Sequence, residues 1–315
     1  MMRIGVIGAT GYVGQELCRW ILAHPQLELA AACSRSAAGK PLGDVIPALD
    51  GLTALAISDV DCAALSSLDA VVLATPHGAA APLVAQLGGA PILIDCSRDH
   101  RHASGWVYGQ PEWNREQLHE ATRIAVPGCF ATAIGLALAP LAAAGVLPDH
   151  VQVVAATGST GSGAGAKAAT HHPERFANLK AYKVLAHQHV PEIRGFLGQW
   201  GAAPDVAFVP LSAPIDRGIL ATTLVRVSDV NAAALFADAY ADEPLIRLRR
   251  SSPEVRLVRG TAFCDIAVHQ DGDTVAVISA IDNLGRGAAA QSIQCLNLAL
   301  GLPEQEGLMV PACAP

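Results

Sequence analysis

Three groups of residues in this chain have the types and spacing that chemistry requires. Val126-Pro127-Gly128-Cys129-Phe130-Ala131-Thr132 sets a cysteine on a Pro-Gly turn, in front of a long apolar run without an acid or a base. A thiol at the first turn of a helix lies among unpaired backbone N–H groups at the positive end of the dipole, which stabilise its thiolate. Cys129 is therefore the candidate nucleophile, and a buried structural cysteine is the competing expectation. His187-Gln188-His189-Val190-Pro191-Glu192 sets two histidines beside a carboxylate. One of the two can move protons while Glu192 orients it. His189 is preferred to His187 because it lies nearer Glu192, with both rings expected on one side of an extended segment. No metal site is expected, since His-x-His followed by a proline lacks the helical spacing of a hydrolytic zinc centre.

The third group is Gly8-Ala9-Thr10-Gly11-Tyr12-Val13-Gly14. Glycines at a strand-to-helix turn let a pyrophosphate approach the backbone, and the helix N-terminus supplies N–H donors. Gly8, Thr10, Gly11, Tyr12, Val13 and Gly14 are accordingly expected to bind a dinucleotide. The next strand ends in Ser34-Arg35-Ser36, with no acidic residue where one would grip the 2′-hydroxyl of NAD. An arginine and two serines suit the 2′-phosphate of NADP (NADPH). A nucleotide loop combined with an activated cysteine points to aldehyde-level redox through a thioester. The Thr157-to-Gly165 loop, rich in glycine and hydroxyls, is expected to form a nest of amides for a phosphate.

Alternating elements must position these groups. Apolar runs predict strands at Arg3 to Ile7, Leu27 to Cys33, Ala70 to Ala74, Ile92 to Asp95 and Ile124 to Val126. Val13, Leu17, Trp20 and Ile21 recur at helical spacing between the first two. Strand and helix in alternation predict an α/β fold with a doubly wound parallel sheet, the Rossmann arrangement. Beyond Leu147 the texture becomes β-rich, with strands expected at Val151 to Ala156, Val206 to Pro210, Leu220 to Val227, Val255 to Val258, Phe263 to His269 and Val275 to Ile281. A second, α+β domain follows from that. A last helical segment, Ala288 to Leu300, returns to one of the two. The expected division is 1–129 for the NADP-binding domain, joined by a C-terminal segment 286–315, and 130–285 for the catalytic and oligomerisation domain.

Composition narrows the partners. The 315 residues carry a net charge of −7 with scattered basic residues, so neither nucleic acid nor an anionic membrane surface is expected as a partner. Hydrophobic content is 51%. The uncharged stretch from Phe130 to Leu147 is nevertheless broken by Gly135, Pro140 and Gly145 and reads as a buried helix and turn, not a membrane span. A strand begins at Arg3, which leaves no room for a signal peptide, and eight cysteines without CxxC pairs fit reduced thiols in the cytoplasm.

Read together, GATGYVG at Gly8, YGQPE at Tyr108 to Glu112, PGCFAT around Cys129, HQHVPEI at His187 to Ile193, PIDRGI at Pro214 to Ile219, FCDI at Phe263 to Ile266 and the tail SAIDNLGRGAAAQSIQCLNLALGLPE resemble the N-acetyl-γ-glutamyl-phosphate reductases of arginine biosynthesis, in order and over nearly the whole chain. The resemblance implies a semialdehyde-dehydrogenase-type catalytic domain and NADPH-dependent reduction of a small acyl phosphate by a homo-oligomer, dimer or tetramer. It implies Cys129 as nucleophile and a histidine of the HQH motif as acid/base, and it adds Asn283 of the tail to the cofactor-binding residues. The family more often reads HRH than HQH, so a cation near the substrate is missing or comes from Arg175, Lys183 or Arg217. His171 to Arg175 also resembles the sister reductases acting on carrier-bound 2-aminoadipyl phosphate in lysine synthesis. That substrate, an N-succinyl-glutamyl phosphate, and a non-catalytic NADP-binding sensor are the alternatives. The chain's acidity favours a small substrate over an acidic carrier protein.

Overall fold

The computed structural model describes residues 1–88 and 91–314. The chain divides into two compact units, Met1–Gly128 with Ala288–Val310, and Cys129–Gly287 with the residues from Pro311 on, so that Cys129, 286–287 and those last residues fall with the second unit and not, as expected, with the first.

In the first unit, strands β1 (Met2–Ile7), β2 (Leu27–Cys33), β3 (Ala70–Leu73), β4 (Ile92–Asp95), β5 (Val107–Tyr108) and β6 (Arg123–Ala125) form a sheet in the order β2-β1-β3-β4-β6-β5. Every pairing is parallel. The strands read as apolar runs because both faces are covered; β3, Ala-Val-Val-Leu, is buried throughout. The Tyr12–Ala23 helix buries Leu17, Cys18, Trp20 and Ile21 on one stripe, the face its spacing predicts. Sheet order reverses at β1, whose neighbours are β2 and β3, and such a switch point opens a crevice at the carboxyl ends of the strands. The Ala290–Ala299 helix belongs to this unit, where Gln291 donates to the Gly109 carbonyl at 2.7 Å and Asn297 to the Glu304 and Glu306 carbonyls.

In the second unit, β7 (His150–Thr157), β8 (Lys180–Ala181), β9 (Asp205–Ser212), β10 (Ile219–Arg226), β11 (Ile246–Leu248), β12 (Cys264–Asp271) and β13 (Thr274–Ile281) form a mixed sheet ordered β11-β12-β13-β10-β7-β9-β8. Alternation sets its faces. Val151, Val153 and Ala155 of β7 are buried, while Gln152 and Val154 are exposed on the other side. The inner face packs on the Cys129–Ala143 helix, which is buried from Phe130 to Ala142. Pro140 sits inside that helix and has no N–H for the carbonyl of Leu136 four residues back. The Tyr240 hydroxyl donates to that carbonyl at 2.6 Å, so the proline leaves no buried acceptor unsatisfied there.

The strand expected at Val255 to Val258 is corrected to a 3-10 turn, Val255–Leu257. Local bonds from Leu257 N–H to Glu254 O and from Val258 N–H to Val255 O close it, and the neighbouring edge of β12 is already paired with β11.

Candidate active site

Cys129 is the first residue of its helix and is half-buried. The first turn carries no acidic residue, so no carboxylate competes with the thiolate for the helix N-terminus. Cys18 shows the contrast: burial pushes its thiol up to about 12, which makes it inert at neutral pH. Gly287 stands against Cys129, and a Cβ there would lie 2.7 Å from the Cys129 Cβ and 3.2 Å from its Cα. Its own N–H donates to the Asp282 carbonyl at 2.8 Å. The Asp282 carboxylate is wholly buried and accepts from Leu284 N–H, Gly285 N–H, Gly260 N–H and the Arg217 Nε–H. The Arg217–Asp282 ion pair therefore fixes the turn that closes on the thiol.

The two histidines do not lie on an extended segment, which corrects the sequence expectation. His189 is the N-cap residue of the Val190–Leu197 helix, in helical conformation, because Pro191 favours the start of a helix there. Its backbone N–H donates to His187 Nδ1 at 3.2 Å, and the rings meet edge-on with centroids 4.8 Å apart. Phe130, next in sequence to the nucleophile, touches both rings, at 5.3 Å to His187 and 6.1 Å to His189. Phe208 and Tyr182 complete a box around His187. Burial pulls the His187 pKa down to about 4, with the nearby charge of Lys183 acting in the same direction. Since Nδ1 accepts, the proton of the neutral ring sits on Nε2. Glu192 is buried in the first turn of the same short helix.

Tyr182 is a site residue that the sequence reading missed; nothing in Lys180 to Lys183 distinguishes it before folding. Its burial, and secondarily the charge of Cys129, raise its pKa, so the hydroxyl stays protonated and can donate. The three candidate cations separate clearly. Arg217 is paired with Asp282 at 2.7 Å. Arg175 donates to Ser212 Oγ and to the Ala213 and Thr157 carbonyls, bracing β9 against the end of β7. Lys183 Nζ donates to Gln188 Oε1 at 2.7 Å.

The expected phosphate nest at Thr157 to Gly165 loses its first amides. The amides of Gly158, Ser159 and Thr160 donate to the carbonyls of Gly218, Ile215 and Asp216, each at 3.0 Å, so this part of the loop docks on the PIDRGI turn. Asn283 lies in the second unit, where its amide accepts from Gly218 N–H at 2.6 Å and donates to Thr160 Oγ1 at 3.0 Å. Among the described residues no group of three His, Cys, Asp or Glu side chains has the placement to hold a metal ion.

In the first unit the glycine loop leads into the Tyr12–Ala23 helix, whose start has neither a side-chain cap nor an acidic residue. A Cβ on Gly14 would stand 2.1 Å from the Gly8 carbonyl oxygen, so only glycine allows the helix to begin this close to the turn. The Thr10 and Ser34 hydroxyls are 2.9 Å apart, and Ser34 and Ser36 are 3.2 Å apart. Arg35 beside them is exposed, with no hydrogen bond or ion pair among the described residues. These residues fit an anionic dinucleotide. Behind β4 lies a buried network absent from the sequence reading: Asp95 accepts from Ser97 and pairs with His100 Nδ1 at 2.6 Å, and the His100 ring stacks on Trp106. Arg101 Nε donates to the Val126 carbonyl at 2.9 Å, holding the chain just before its Pro-Gly turn.

A parallel nucleotide sheet followed by a mixed sheet whose first helix opens on a thiol is the arrangement of the semialdehyde dehydrogenases. Residues 3–121 match the family described as semialdehyde dehydrogenase, NAD binding domain, and residues 129–283 match semialdehyde dehydrogenase, dimerisation domain. The fold is shared with aspartate semialdehyde dehydrogenase II of Vibrio cholerae, at TM-score 0.77 and 17% identity, covering 96% of this chain and 98% of that one. It is shared also with the Candida albicans aspartate semialdehyde dehydrogenase solved with NADP, at TM-score 0.75 and 16% identity, covering 95% and 98%. Sequence identity is much higher to two curated reductases. N-acetyl-gamma-glutamyl-phosphate reductase of Salinispora tropica is 44% identical, covering 100% of this chain and 99% of the relative, and that of Azotobacter vinelandii is 41% identical, covering 100% of both. The chain belongs to the N-acetyl-γ-glutamyl-phosphate reductase family.

Proposed function

We propose that this chain reduces N-acetyl-γ-glutamyl phosphate to N-acetyl-L-glutamate 5-semialdehyde, releasing phosphate, through a thioester on Cys129. The observation that carries the reading is Cys129 at the first residue of a core helix, with Phe130 beside it packed on His187 and His189. The thiolate adds to the acyl carbon and the carbon–oxygen bond to phosphate breaks, leaving an acyl-enzyme. NADPH, when bound, supplies the hydride that takes this thioester to the aldehyde level. Cys129 then leaves as thiolate as the carbon–sulfur bond breaks. His189 is assigned to carry the protons, oriented by Glu192, and His187 to shape the pocket as a neutral ring. Gly8, Thr10, Gly11, Tyr12, Val13 and Gly14 are assigned to the pyrophosphate and Ser34, Arg35 and Ser36 to the 2′-phosphate, and Asn283 is kept among the cofactor-binding residues. Exposed Val154 and Leu224 on the outer face of β7 and β10, with the dimerisation-domain match, support a homodimer or a tetramer built from it. Eight unbridged cysteines suit a reducing cytoplasm, and no helix among the described residues is long and apolar enough to cross a membrane.

The test is an assay in the oxidative direction with NADP and inorganic phosphate. N-acetylglutamate semialdehyde is expected to be turned over well ahead of its N-succinyl and aminoadipyl counterparts. Absence of phosphate-dependent turnover with all three would turn the reading toward a non-catalytic NADP binder. Arg35→Ala is expected to weaken NADPH about 10- to 100-fold, the scale of one charge-assisted hydrogen bond, and to leave NADH nearly unchanged. Equal losses for the two cofactors would remove Arg35 from the 2′-phosphate site.

The histidines are separated by pH. With a pKa near 4, His187 is already neutral from pH 5 upward, so its removal leaves the near-neutral limb of the rate profile in place and mainly raises KM. His189→Asn is expected to flatten that limb. Profiles of both variants decide the assignment, and a limb lost only in His187→Asn reverses it.

A further inference from the structure

Lys183 has three features that no other residue of the second unit combines. Its backbone is in the left-handed region, with φ 45°, and Leu185 two residues on has φ 57°. That conformation is unfavourable for a side-chain-bearing residue and persists only where the surrounding structure imposes it. Here the surroundings are explicit. Tyr182 N–H donates to the Pro210 carbonyl and Leu185 N–H to the Phe208 carbonyl, both at 3.0 Å, pinning the turn to β9 on either side of Lys183. Second, the ammonium is seated on Gln188, the residue between the two histidines, at 2.7 Å. Third, its partner is neutral. Among the described residues no carboxylate pairs with Lys183, whereas Arg194, Arg217, Arg247, Arg249, Arg256 and Arg259 each have one.

An amide oxygen takes one of the three ammonium donors and cancels none of the charge. Two donors and a full positive charge remain on an exposed side chain beside the box that holds His187. A strained turn that brings an exposed cation without a carboxylate partner beside the histidine pair is a device for an anionic ligand. We propose that Lys183, held in place by Gln188, is the residue that receives an anionic group of the substrate, either the departing phosphate or the α-carboxylate, both of which offer charged oxygens to an ammonium. This rests on the acyl-phosphate reaction proposed above. Arg175 is not the receiver because its guanidinium is tied to Ser212, Ala213 and Thr157.

Lys183→Gly separates charge from folding, because glycine adopts this φ without strain and removes the ammonium at the same time. In the oxidative assay, Lys183→Gly and Lys183→Met are both expected to raise one KM about tenfold, the effect of one charge-assisted hydrogen bond, and Lys183→Arg to restore most of it. A rise in the KM for inorganic phosphate identifies the phosphate as the bound group; a rise in that for the semialdehyde identifies the carboxylate. The second measurement needs no turnover: the alkylation rates of Cys129 by iodoacetate, an anion, and by neutral iodoacetamide, followed by mass spectrometry of the Cys129 peptide. Their ratio is expected to fall several-fold in Lys183→Gly and to recover in Lys183→Arg. Unchanged KM values and an unchanged ratio overturn the assignment. A wild-type protein without phosphate-dependent turnover, whose alkylation ratio still falls in Lys183→Gly, overturns the reaction and keeps the anion receiver.

Discussion

Cys129→Ser is expected to lower turnover by roughly 10³-fold or more while NADPH binding persists. The helix N-terminus that stabilises a thiolate cannot ionise a serine hydroxyl to a useful extent, because the hydroxyl starts many pK units further from neutrality. Cys18 and Cys96 do not stand in for it, since burial pushes both thiols up to about 12. Binding survives because the glycine loop belongs to the first unit and Cys129 to the second. Rapid-quench mass spectrometry of the wild type is expected to show an acyl adduct on the Cys129 peptide, absent in the variant. Near-normal turnover of Cys129→Ser would sink the thioester mechanism.

Gly287→Ala is expected to lower kcat about 100-fold, although the added group is a single methyl. Both atoms that its Cβ would strike, the Cβ and Cα of Cys129, are fixed by the backbone, so no rotamer change relieves the overlap. The helix behind them is packed in the core from Phe130 to Ala142 and cannot retreat as a body. Displacing the reacting sulfur by even about 1 Å costs on the order of 100-fold in rate. Overpacking also destabilises, by about 1–3 kcal/mol, so the variant should melt a few degrees lower yet remain folded. Measured together, kcat, NADPH affinity and melting temperature separate the causes. Wild-type kcat in a folded Gly287→Ala protein would mean that the tail does not position the nucleophile.

Both sheets were legible in the sequence because their signals are local. Apolar runs with a glycine turn after the first gave the parallel sheet, and alternation along Val151 to Ala155 gave the inner face of the second. The placement of Cys129 at the start of a buried helix was legible for the same reason, since a Pro-Gly turn before an apolar run is written in consecutive residues. Val255 to Val258 misled because four residues cannot report whether a sheet edge is open to receive them, and here β11 already occupies it. The histidine pair misled because Pro191 was weighed against a metal site and not as the start of a helix. Tyr182 and Gly287 were invisible for a different reason: each acquires its place from residues that tertiary folding brings up, such as Gly287 against Cys129 across more than half of the chain. The loop at Thr157 to Gly165 has the composition of a phosphate nest, but composition does not say which amides are already bonded to the PIDRGI turn.

The complete burial of the Cys129–Ala143 helix divides the second unit into parts with different lifetimes against opening. Backbone amides from about Ala133 to Leu141 can exchange with solvent only when the unit as a whole unfolds, placing the nucleophile's support among the slowest-exchanging segments of the chain. The stretch from Gly161 to Ala186 is mostly exposed and holds only single-turn helical segments, among them His172–Arg175, and the two-residue strand β8, so it opens at a small fraction of that free energy. The proposed nucleophile is thus mounted on the durable part and the proposed anion receiver on the yielding part. Sequence drift in the exposed stretch can retune what is recognised while the geometry of attack is inherited unchanged.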